Sequence, residues 1–220
     1  MRFVRRHWYN IGIILALITG AYLILAWRDM IVLQRLLFLN FIALLIHQFE
    51  KYGFPGGFPI IMNMTTLNKN DSPDRYPYNQ NSSFVTNVIL GWSMYLTPVF
   101  FPNVIWLALA PILLIWVQFI IHAFVTNIHF KSIYNPGMCT LVLFHVPVGI
   151  YYIFYIHSMN LVGMWDWVFG IAYTAISLVI VFRVLTFRLL ADTNSKYPFA
   201  KKEIEKFNVA AKLKSKGIIQ

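Results

Sequence analysis

Charge is what this sequence has least of. Only 12% of its 220 residues are Asp, Glu, Lys or Arg, where a soluble domain carries about 25%. Acids are scarcest, eight against eighteen Lys and Arg. A carboxylate-bridged di-iron bundle needs several acids projecting into one core, and here Glu50 alone lies near other chemistry-bearing side chains. The six histidines, two of them far from the rest, are too few for a histidine-box desaturase or hydroxylase. No H-E-x-x-H, G-x-S-x-G or phosphate-binding glycine loop occurs, which sets aside zincin, α/β-hydrolase and P-loop chemistry. One cysteine, Cys139, leaves no intrachain disulfide to form; it reads as a small packing residue. The net charge of +10 comes without a nucleic-acid reading motif, so no nucleic-acid partner is expected.

What is abundant is apolar. Hydrophobic residues make up 59% of the chain, and several runs reach the roughly 20 residues that span a hydrocarbon core. The expectation is an all-α integral membrane protein, a bundle of six transmembrane helices near 8–27, 31–52, 83–101, 103–129, 137–157 and 162–189. The first apolar run follows a basic start but is long and lacks a small-residue cleavage site, so it reads as a retained span. Residues 1–190 form the six-helix domain with one long loop, 53–82, and residues 191–220 a basic C-terminal tail. With the N-terminus in the cytosol, sixteen of eighteen Lys and Arg fall inside, Lys69 of the long loop among them, against Arg28 and Arg35 outside. That asymmetry predicts both termini cytosolic. Trp8, Trp27, Trp106, Trp165 and Trp167 near span ends read as interfacial anchors. In the tail, Phe199, Ile204, Phe207 and Ala211 recur near one helical face among lysines. That pattern suits a helix on anionic lipids, or a solvated tail.

The polar residues then collect in one place. The second span ends with His47 and Glu50 one turn apart, and Asn40 lies on the same stripe. The fourth span ends with His122 and His129, seven residues apart on nearly one face, with Gln118 a turn above. His145 lies in the fifth span. All belong to the cytosolic half of the expected topology. Two or three imidazoles with one carboxylate and an open position suit a catalytic zinc site, so a divalent metal, zinc favoured, is the economical ligand for His47, Glu50, His122, His129 and His145. Asn40, Gln118 and Asn135 would orient those ligands. The plainer reading pairs Glu50 with Lys51 or a tail lysine and leaves the histidines hydrogen-bonded at the interface.

His47-Gln48-Phe49-Glu50, followed by Tyr52 and Phe54-Pro55-Gly56-Gly57-Phe58, resembles the HXXEE family of bacterial membrane proteins. Gln118 to His122 and Tyr134-Asn135-Pro136-Gly137 resemble that family's second block. The resemblance implies a multi-pass protein of the bacterial cytoplasmic membrane in which His47, Glu50 and His122 matter; it supplies no reaction. Lys51 stands where the motif has its second glutamate, which removes one candidate ligand or base. Two functions follow as expectations. One is a metal-dependent, hydrolase-type membrane enzyme acting on a lipid or hydrophobic small molecule, with His47, Glu50 and His122 catalytic. The alternative is a small transporter or an immunity-type, partner-binding membrane protein without catalysis.

Overall fold

The computed structural model describes residues 2–67 and 72–219; Lys69 lies outside the described residues. These residues form helices and turns, with no strand among them. Five helices are long and apolar enough to cross a bilayer: Phe3–Leu25, Val32–Tyr52, Ile105–Phe130, Met138–Ser158 and Met164–Leu189. A helix satisfies its own backbone, which lipid requires. In chain order the elements are α1 (Arg2–Leu25), α2 (Val32–Tyr52), α3 (58–66), α4 (80–100), α5 (Ile105–Phe130), α6 (Met138–Ser158) and α7 (Met164–Leu189). Two short tail helices follow, α8 (Lys201–Ile204) and α9 (Val209–Ser215).

The expected span near 83–101 is helical, as α4, but is not one of the five. Ser82, Ser83, Thr86, Asn87, Ser93 and Thr97 dilute its apolar character. Thr86, Ser93 and Thr97 donate to the carbonyls four residues earlier, Ser82, Ile89 and Ser93, the usual refuge of hydroxyls inside a helix. A capping box starts α4: Asn79 Oδ1 accepts the Asn81 and Ser82 amides, and Ser82 Oγ accepts the Asn79 amide. The side-chain Nδ2 of Asn79 donates to Leu190 O at 2.9 Å, tying the end of α7 to the start of α4.

The main core joins α2, α5 and α6 through Leu33, Leu36, Leu37, Leu109, Ile112, Ile115, Tyr152 and Ile156. Helices α1, α4 and α6 all pack on α2, and α7 packs on α5. Trp8 is 2% exposed and packs on Tyr9 and Tyr52, so it is a core residue and not an interfacial anchor. Trp27 and Trp165 are exposed as anchors would be. Among the described residues, five stretches widen to π-helical bonding: Met62–Thr66, Val85–Trp92, Ile120–Thr126, Leu141–His145 and Val179–Leu189.

The tail departs from expectation. Phe207 and Asn208 adopt positive φ, 59° and 50°, which breaks the helix between α8 and α9 and resets its phase. The expected face is thereby lost: Ala211 is exposed, while Phe199, Val209 and Leu213 are buried against Phe58, Ile60, Ile61 and Phe130. Gly57 makes this seating possible. Its φ is +89°, and a Cβ there would stand 2.8 Å from Lys206 O. Lys206 Nζ donates to Tyr52 O at 2.6 Å and Lys216 Nζ to Phe130 O at 3.0 Å. Two tail lysines thus cap the final carbonyls of α2 and α5, where a cation is favoured. Burial lowers the Lys206 pKa, yet its two oxygen partners, Tyr52 O and Tyr9 OH, keep it seated.

Leu213→Asp places an unpartnered charge in this apolar seat. Limited proteolysis in detergent should then cut within residues 200–219, where the wild type resists. Equal resistance would contradict the docked tail.

A histidine cluster at the end of an apolar cavity

Helix α2 is stopped at Tyr52 by Gly53 and Pro55, so its last turn presents His47, Glu50 and Lys51 together. They face the turn between α5 and α6, Tyr134-Asn135-Pro136-Gly137. Both oxygens of Glu50 are used there. Oε1 accepts the Tyr134 hydroxyl at 2.8 Å and the Cys139 amide at 3.2 Å. Oε2 accepts the Thr140 amide at 2.8 Å and the Thr140 hydroxyl at 2.6 Å. The two amides are orphan donors of the first turn of α6, and a carboxylate suits the positive end of a helix. Burial, and then the bond to Glu50, raise the Tyr134 pKa, so its hydroxyl stays a donor.

Gly137 lets the turn close. Its φ is +104°, and a Cβ there would lie 2.6 Å from His122 Cε1, 2.7 Å from Lys51 Cγ and 2.9 Å from His47 Cε1. Only glycine admits both imidazoles and the lysine stem at this point.

Three imidazoles converge. The His47 ring centroid is 5.0 Å from that of His122 and 5.6 Å from that of His145. Each Nδ1 has an oxygen partner. His47 Nδ1 lies 2.9 Å from Gly137 O, a carbonyl, so the ring donates. Asn135 sends its amide protons to His122 O and Asn127 Oδ1, both at 2.8 Å. Its own Oδ1 therefore faces His122 Nδ1, at 2.6 Å, and accepts from it. His145 Nδ1 lies 3.1 Å from Asn40 Oδ1. With the proton on Nδ1, the neutral ring presents its lone pair at Nε2. His47 and His122 are 2% and 0% exposed, and the Nε2 atom of each is buried with no partner. Most buried polar atoms in folded proteins have one. Phe58 of α3 stacks on His122, with ring centroids 4.4 Å apart, and covers the cluster from the side of the 53–82 loop.

Beside the cluster lies a cavity of about 740 Å³, inside the roughly 300–1,000 Å³ range of small-molecule sites. Its walls are mostly apolar, with Leu44 of α2, Leu114 of α5, and Ile89 and Ile180 of α4 and α7 among them; the last two are also exposed. His47, Lys51 and His145 line it as well.

Of the residues singled out from sequence, His47, His122 and His145 meet, with Asn40 and Asn135 holding two of the rings. Gln118 lines the cavity. His129 does not join them: it is exposed, and its Nδ1 bonds Val125 O within its own helix. The π-helical turns of Ile120–Thr126 lie between His122 and His129, so seven residues no longer make two turns and His129 leaves the face. Glu50 pairs neither with Lys51 nor with a tail lysine. Cys139 is exposed rather than packed and contributes its backbone amide. Among the described residues, no three His, Cys, Asp or Glu side chains are arranged to hold a metal ion. The reading from sequence gave no role to Thr140, Gly137 or the Tyr134 hydroxyl. The proline-glycine turn was the available signal, since a glycine there announces a left-handed residue.

Glu50→Gln turns one acceptor oxygen into an NH₂ facing existing donors, at a cost of about 1–3 kcal/mol. The variant should melt several degrees lower in detergent, whatever happens to activity. An unchanged melting temperature would contradict the capping role.

No curated protein and no solved structure matches the chain. A family model described as "Protein of unknown function with HXXEE motif" matches residues 38–152, more than half of the sequence and the whole stretch from Asn40 to Tyr152 that builds the cluster. The chain belongs to the HXXEE family.

Proposed function

We propose that this protein is a membrane enzyme that admits an apolar molecule or lipid into the cavity and acts on its polar end with His47, His122 and His145. The observation that carries the reading is the pair of buried, unpartnered Nε2 atoms on His47, which lines the apolar cavity, and on His122, whose ring packs against it. A lone pair held without a donor is a base awaiting a proton, and a positioned imidazole is the commonest general base. Intramembrane ionisable groups serve function by default because they are costly to keep. Asn40, Asn135 and the Gly137 carbonyl fix the rings, and the exposed Ile89 and Ile180 mark a lateral way in from the bilayer.

The topology proposed with it has six spans in the bacterial cytoplasmic membrane, α4 being the sixth, and both termini in the cytosol. The charge asymmetry supports the orientation, and the back-bonded hydroxyls of α4 support its insertion. Exposed Lys201, Lys202 and Lys214 then meet the anionic inner leaflet. A metal-dependent form of the same reaction is favoured by one observation. Each Nδ1 donates to an oxygen, the arrangement that orients histidine ligands, so zinc would meet the bare Nε2 atoms of His47 and His122. His145 would join them only by a shift of its ring, because the three are not arranged around one ion. Glu50 drops out of that set because its oxygens are taken.

One experiment tests both forms. Wild type and a His47→Gln/His122→Gln double variant are purified in mild detergent, and their bound lipids and metals are measured by mass spectrometry. The variant should retain an apolar molecule that the wild type has converted. Near-stoichiometric metal in the wild type, lost in the variant, selects the metal-dependent form. Identical lipid extracts and no metal in either would overturn the reading.

A further inference from the structure

Resting on that reading of the cavity, we infer that its ligand is a single-chain amphiphile with an anionic phosphate headgroup, held by Lys51. Lys51 is 7% exposed and, among the described residues, is the only Asp, Glu, Lys or Arg lining the cavity. No carboxylate of the described residues neutralises it. The ion pairs among the described residues are Arg75–Asp74 and Lys201–Glu205, and the adjacent Glu50 spends both oxygens on Tyr134, Cys139 and Thr140. What surrounds the ammonium instead is aromatic. Nζ lies 4.7 Å from the Phe58 ring centroid and 5.9 Å from that of Tyr52. Ring faces return part of the cost of burying a charge, and a full counter-ion returns far more.

The headgroup needs more than charge. The Nε2 atoms of His47 and His122 call for a hydrogen donor, while Lys51 calls for an anionic oxygen. A phosphate monoester offers both, as P–O⁻ and as P–OH, and so does one on a glycerol that keeps a free hydroxyl. The rest of the ligand must be apolar, because Leu44, Leu114, Ile121 and Val181 line the remaining space. Lys51 also departs from the motif that names the family. The family's H-x-x-E-E motif puts an acid where Lys51 stands, so the sign of the charge at the cavity end is reversed here.

The test compares two lipids that differ only in the phosphate. Oleoyl-lysophosphatidate and mono-oleoylglycerol are titrated into purified full-length protein, read by quenching of intrinsic tryptophan fluorescence or by a radiolabelled-ligand filter assay. Wild type should bind the phosphate at least tenfold more tightly. Lys51→Met should abolish that preference while keeping the affinity for mono-oleoylglycerol, and Lys51→Arg should retain it. Without ligand, Lys51→Met should melt no lower than wild type, since it removes an unpaired buried charge. Equal binding of the two lipids by wild type would overturn the anion inference and leave the cavity reading standing. So would an undiminished preference in Lys51→Met. Displacement of lysophosphatidate by millimolar inorganic phosphate alone would show a free-phosphate site and overturn the amphiphile. If neither lipid binds, the cavity reading falls with the inference.

Discussion

A single carboxylate at the start of a helix holds this site together. Glu50, on the last turn of α2, accepts the Cys139 and Thr140 amides from the first turn of α6, with the Tyr134 and Thr140 hydroxyls added. An anion at that end of a helix meets both unsatisfied donors and the positive end of the dipole. Three residues earlier His47 grips the Gly137 carbonyl of the same turn. The H-x-x-E spacing is therefore a clamp: one side chain takes the carbonyl of the turn, the other takes the amides that follow. Gly137 is the complement on the other side, because a Cβ there would strike both imidazoles.

The clamp explains why three histidines sit together in an apolar bundle. It sets α6 against α2, which brings His145 to Asn40, while the Asn135 of the clamped turn orients His122. Each ring is fixed at Nδ1, and fixing one nitrogen aims the other. The docked tail reinforces the arrangement from below, since Lys206 and Lys216 cap α2 and α5, two of the helices that carry the histidines. Three elements thus support the rings rigidly around two unpartnered nitrogens.

Much of this was legible in the sequence. The apolar runs gave the helical membrane class, and the positions of His47, Glu50, His122 and His145 within their spans gave one shared end. The rest was hidden for physical reasons. The partners of Glu50 are mostly backbone amides and hydroxyls, which carry no sequence signature, so its carboxylate looked available when it was committed to the fold. His129 was expected beside His122 because seven residues nearly close two α-helical turns, and π-helical bonding over Ile120–Thr126 spoils that register. The helical face assigned to the tail was broken by two residues of positive φ, Phe207 and Asn208, neither of them glycine. Lys51 read as a partner for Glu50 and as the residue that replaces the motif's second acid. Only the folded arrangement, with Phe58 laid beside it and the cavity open in front, shows it to be buried.

The account stands on the tautomer of three rings, and that is directly observable. Long-range proton–nitrogen spectra of protein labelled with ¹⁵N-histidine, in micelles at neutral pH, separate ring nitrogens that carry a proton from those that do not. The account predicts that His47, His122 and His145, assigned through single His→Gln variants, are protonated at Nδ1 and bare at Nε2. Their Nε2 signals should move when ligand is added, while those of exposed His129 and His157 stay still. Signals showing Nε2 protonated in the cluster would contradict it.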